Sequence, residues 1–136
     1  MKLRGDDQGS VLILTIGYAV LAIVLVLVCA NATSLYLAQK RLDAVADAAA
    51  LAAADGFTLT VSDDGVRTDL SDADLRAQAE EIVATMGEAT LVSASTPDGV
   101  SARVTVAGAW HPPVITLFVP DGLPLEATAT SRNALR

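Results

Sequence analysis

With 136 residues, the chain has about the length of one domain. Its 16 Asp and Glu outnumber 9 Lys and Arg, for a formal charge of −7. The clustered basic residues that a phosphate backbone requires are missing, so nucleic acid is excluded as a partner. One cysteine excludes an intrachain disulfide, and one histidine excludes any two-histidine metal motif.

The apolar residues are unevenly spread. Residues 1–9 form a short polar head, and no charge falls anywhere in residues 8–39. Residues 11–30 read VLILTIGYAVLAIVLVLVCA, 20 in a row. A hydrocarbon core about 30 Å thick is crossed by about 20 helical residues rising about 1.5 Å each. A core helix of a soluble domain would carry a polar stripe, and this one has none. The segment is therefore expected to be a transmembrane helix in contact with the lipid bilayer.

A signal peptide is the competing reading. Lys2 and Arg4 would be its basic start, and Ala30-Asn31-Ala32 has the small-x-small form of a cleavage site. Cleavage after Ala32 would release a small secreted protein. The apolar run exceeds the usual h-region of about 7–15 residues, and the helical pattern passes Ala32 unbroken, which favours retention. Val28 stands where a lipoprotein signal has a small residue, so Cys29 reads as apolar filler. Lys2 and Arg4 before the span balance Lys40 and Arg41 after it, so basic charge sets no orientation. The short head and long polar tail give the expected topology, N-terminus inside and C-terminal domain outside.

Helix-forming sequence continues beyond the span. Residues 31–56 read NATSLYLAQKRLDAVADAAALAAADG, without proline and rich in Ala and Leu. Asp55-Gly56 is a natural stop. One helix over residues 10–54 would be 45 residues, about 68 Å. Ala38, Leu42, Ala46, Ala50 and Ala54 recur at four-residue steps on one face. Small residues at this spacing admit a closely packed second helix. The ladder is the candidate helix-packing interface, facing either the chain's own downstream domain or another subunit.

At this point a resemblance emerges. Leu35-Tyr36-Leu37-Ala38, Lys40-Arg41-Leu42 and Ala46-Asp47-Ala48-Ala49-Ala50-Leu51, in fixed register after the span, resemble the N-terminal region of TadG-like proteins of Tad (Flp) pilus assembly and of TadE-like minor pilins. The resemblance covers residues 8–54. It implies a structural role in the bacterial cell envelope, with other pilin-like or Tad-machinery subunits as partners. Two positions depart from the pattern. Asn31 stands where many members have Asp, and the pilin glycine with glutamate five residues on is missing, since Leu14 follows Gly9 and Ser10 follows Gly5 at that distance. An uncleaved TadG-like component is thereby favoured over a processed major pilin.

Residues 57–136 are expected to form a small α+β domain. The alternation in residues 56–61 reads as a half-buried strand, and Asp63-Asp64-Gly65 as a turn. Ser71 followed by Asp74 resembles a capping box, and Leu75, Ala79, Ile82, Val83 and Met86 set a helix over 72–86. Residues 90–96 and 100–110 then form a β-hairpin around Pro97-Asp98-Gly99. Its second strand should place Val100, Ala102, Val104, Val106 and Trp110 on one face, with Ser101, Arg103 and Thr105 opposite. Pro112-Pro113 ends it, residues 114–119 read as irregular or helical, and residues 125–131 as a last strand.

Reactive constellations are missing from the sequence. His111, before two prolines, reads as a loop histidine. Asp63, Asp64, Asp69, Asp72 and Asp74 miss the spacing of a calcium loop and fit turn and helix-start roles. No phosphate-binding loop or nucleophile elbow occurs. No enzymatic activity, cofactor or metal is expected. The expected function is that of a structural component of the Tad pilus or its machinery; the alternative is a membrane-anchored extracytoplasmic binding module with other partners.

Overall fold

The computed structural model describes residues 7–56, 58–62, 65–69, 71–87, 89–114, 116 and 120–132. Its dominant element is α1, Asp7–Asp55, a single α-helix of 49 residues. At about 1.5 Å per residue it is about 74 Å long. The expected bounds fall within one turn of these. Neither Gly17 nor the Asn31 region interrupts it, because Ala and Leu supply strong helix propensity on both sides.

A short hairpin follows, β1 (Thr58–Ser62) with β2 (Gly65–Asp69), antiparallel with Ser62 opposite Gly65. The sequence pointed to β1 but not β2, whose GVRTD lacks any alternation of apolar residues. The burial of β1 and the Asp63-Asp64 turn lie outside the described residues. Asp69 pairs with Thr58 in the ladder.

Helix α2, Asp72–Met86, begins and ends where expected. Ser71 Oγ accepts a hydrogen bond from the Ala73 N–H at 3.3 Å, and Asp72 and Asp74 sit in the first turn, where the helix dipole favours acids. Gly87 closes the helix in the left-handed region at φ 72°, its N–H reaching the Val83 carbonyl at 3.1 Å. Leu75, Ala79 and Val83 are buried, and Ile82 is half-buried. Met86, expected among them, is exposed in the last turn.

Three antiparallel strands complete the domain in the order β3-β4-β5: Thr90–Ser95, Ser101–Trp110 and Leu123–Arg132. Strands β4 and β5 pair over their full length, from Ser101 opposite Arg132 to Trp110 opposite Leu123. A register shift between Leu91 and Ser93 lets both Leu91 and Ala94 pack on the core. Ala102, Val104, Val106 and Trp110 are buried as the alternation required. Two assignments in β4 are corrected. Val100 is exposed in the turn, and Ser101 is buried. The Asp98 carboxylate causes both, by accepting the N–H groups of Val100 (3.1 Å) and Ser101 (2.6 Å) and the Ser101 hydroxyl (2.9 Å), so the strand begins only at Ser101. Within the expected irregular stretch, Val114 and Thr116 lie in turn structure, and Ile115 and 117–119 lie outside the described residues.

The core lies between the C-terminal half of α1, α2 and one face of the sheet. The fold is α+β. Gly122, just before β5, is required by two constraints at once. Its φ is 72°, and a Cβ there would come within 2.8 Å of the Trp110 carbonyl oxygen and 3.1 Å of the His111 ring. Gly122→Ala is expected to destabilise the domain by about 1–3 kcal/mol, measured by hydrogen exchange of the β4–β5 amides. Exchange rates equal to those of the unaltered chain would contradict this.

Candidate helix-packing site

Helix α1 divides into two zones. Every residue from Gly9 to Ala30 is exposed on all sides. This stretch is long and apolar enough to cross a membrane. From Asn31 onward one face turns inward, and its burial deepens along the helix.

Four of the five ladder residues are buried within the chain: Leu42 at 6 % exposure and Ala46, Ala50 and Ala54 at 1 % each. Ala38 is half-buried at the start of the row. Val45, Ala49 and Ala53 extend the same face. The structure thus brings the ladder against α2 and strands β4 and β5 of its own domain. Alanine is the reason this face can serve so, since small side chains let a helix and a sheet approach closely. As it stands, the ladder offers no free surface to a second chain. Ala44, Asp47 and Leu51, on the opposite side, are exposed.

Hydrogen bonds fix the domain along α1. Trp110 Nε1 donates to Ser34 Oγ at 3.1 Å, and Gln39 Nε2 donates to the Glu126 carbonyl at 3.1 Å. Asn31 Nδ2 donates to the Leu27 carbonyl at 2.8 Å, one turn back in the helix. Lys40 pairs with Asp43 at 3.0 Å, which raises the lysine pKa; the Gln39 and Lys40 bonds lower that of Asp43. Exposed pairs of this kind add little stability. Sequence gave no hint of the Trp110–Ser34 link, because its partners lie 76 residues apart.

Beside these bonds, two open grooves run between α1 and the sheet. One, about 430 Å³, is lined by Ala38, Leu42, Val45, Gly108 and Leu125 among others. The second, about 570 Å³, is lined by Cys29, Ala30, Ser34, Leu37 and Trp110 among others. Both walls are mostly apolar. His111 is exposed after β4, and Cys29 is exposed on α1. Among the described residues, no three His, Cys, Asp or Glu converge as metal ligands would. Asp72 instead accepts the Thr96 N–H at 2.9 Å and ties α2 to the end of β3.

Among the described residues, the strongest electrostatic feature is in the turn between β3 and β4. The Ser101 hydroxyl, then the N–H groups of Ser101 and Val100, hold the Asp98 carboxyl down at about 2, with Arg132 adding to the effect at 3.3 Å. The folded value is below the ordinary value of about 3.9, so the stabilisation is present above pH about 4 and is lost as pH falls towards 2. Asp98→Asn should therefore lower stability at neutral pH, with the difference from the unaltered chain shrinking between pH 4 and 2. An acid titration followed by circular dichroism checks this; a pH-independent difference would contradict it.

Residues 9–56 match the family model described as putative Flp pilus-assembly TadE/G-like. The matched segment coincides with α1, span and extension together, and ends where the helix ends. No curated protein and no solved structure matches the chain.

Proposed function

We propose that the chain is a structural component of a bacterial Tad/Flp-type pilus or of its assembly machinery. It is held in the cytoplasmic membrane by residues 11–30, with its N-terminus inside and the small domain outside. The observation that carries this reading is the TadE/G-like match over residues 9–56, which falls on the helix whose long apolar stretch, residues 9–30, the chain leaves uncovered. Because the alanine ladder is occupied from within, lateral packing on other subunits runs through the exposed surface of the span. Gly17, Ala19 and Ala22 supply small residues there that suit helix contacts in lipid.

The TadG-like form is favoured over a processed pilin by the missing glycine–glutamate spacing. Retention of the span is supported by Ala32 lying mid-helix and by Ser34, two residues on, bonding the domain. The role is one of scaffolding rather than catalysis.

A span exchange tests the proposal. Deleting the gene should remove or sharply reduce surface pili, and the unaltered chain should restore them. A chain whose residues 11–30 are replaced by an unrelated 20-residue apolar span should still reach the membrane yet fail to restore them. Normal piliation in the deletion strain would overturn the reading; full rescue by the exchanged span would overturn packing through it.

A further inference from the structure

We propose that the end of the sheet nearest the span, marked by Trp110, Val114 and Leu123, rests on the surface of the same bilayer that α1 crosses. The proposal builds on the reading of residues 11–30 as a membrane span. Three positions fix the height of this end along α1. Trp110 bonds Ser34, which is four residues beyond Ala30, or about 6 Å along the axis. Trp110 also shares a groove wall with Cys29 and Ala30, the last residues of the apolar run. Glu126 is tied to Gln39, and from there β5 extends three residues, about 10 Å, back to Leu123, which pairs with Trp110. Trp110 and Leu123 therefore sit level with the outer end of the span.

The chemistry of this end suits lipid. Val114 and Leu123 are 43 % and 45 % exposed, and Pro113 and Pro120 are exposed beside them. The sequence from Pro112 to Pro120 holds no charge. Water-facing turns are usually built from polar residues and glycine, which this one is not. The opposite end of the sheet carries Asp98, Arg103 and Arg132 around the exposed Val100. Trp110, 7 % exposed, fills the space between this end and α1 and leaves Val114 and Leu123 as the groups turned outward. Arg41 stands two turns further out, and His111 and Asp121 are exposed beside this end.

The test uses the full chain with Cys29→Ser, reconstituted in phosphatidylethanolamine–phosphatidylglycerol vesicles. A nitroxide is attached in turn to V114C, L123C, I16C and P97C. Its collision rates with oxygen, enriched in lipid, and with a water-soluble nickel chelate are compared. The Ile16 site should give the highest oxygen-to-nickel ratio and the Pro97 site, in the turn at the far end, the lowest. The Val114 and Leu123 sites should exceed Pro97 severalfold. If they equal Pro97 while Ile16 reads as lipid, the surface contact is refuted and the span stands. If Ile16 also reads as water, the span itself is refuted and the contact with it.

Discussion

Leucine at both Ala46 and Ala50 should detach the small domain from α1 while leaving the helix intact. Each alanine is 1 % exposed, packed against the domain with no room for three more carbons. Overpacking a buried site costs about 1–3 kcal/mol, so the pair removes about 2–6 kcal/mol if the two sites add. A small domain has about 5–15 kcal/mol in all, and this loss is a large part of it. Leucine nearly equals alanine in helix propensity, so the change acts through packing. Ala44→Leu, on the exposed face, is the control. Hydrogen exchange in the solubilised full chain should show deprotection of α2 and the sheet in the double variant and none in the control. Full protection in the double variant would mean that the face is not the core of this domain.

Trp110→Ala should have a comparable effect, for the opposite reason. Trp110 is 7 % exposed and closes the sheet against α1 near Ser34. Removing so large a buried ring costs about 3–5 kcal/mol, because the surroundings collapse only in part. Trp110→Phe keeps most of the ring and loses the bond to Ser34, an expected cost of about 0.5–1.5 kcal/mol beyond the smaller change in packing. Ser34→Ala should reproduce that bond's share alone. Protease resistance of residues 72–132 in detergent would rank the variants, with Trp110→Ala most sensitive. Equal resistance of Trp110→Ala and the unaltered chain would contradict the role assigned to the ring.

Local rules made much of this architecture legible. The uncharged run, the alanine-rich extension and the Asp55-Gly56 stop specified α1, and Ser71 with the spacing of Leu75, Ala79 and Val83 specified α2. Alternation identified β4, because its inner face is dry and its outer face wet. The failures share a cause. Strand β2 has no apolar period and is held by backbone pairing with β1, which leaves no mark on side-chain pattern. Val100 obeys the alternation yet lies outside the strand, since Asp98 captures the two N–H groups that would have extended it. The ladder was visible as a packing face, but periodicity says only that a face is small and apolar, not what covers it. Contacts between residues far apart in the chain decided that, and Trp110 with Ser34 is the clearest of them.

The account rests on α1 being one helix divided between two environments, lipid up to about residue 30 and its own domain from about residue 38 to 54. Cysteine scanning along α1 tests this most directly. In a Cys29→Ser chain held in native membranes, single cysteines from residue 10 to 54 are challenged with a membrane-impermeant maleimide. The account predicts uniform protection over residues 11–30. Beyond residue 38 it predicts a helical period, with 42, 45, 46, 49, 50 and 53 protected and 44, 47 and 51 labelled. Labelling within 11–30, or even labelling of every position from 38 to 54, would contradict it.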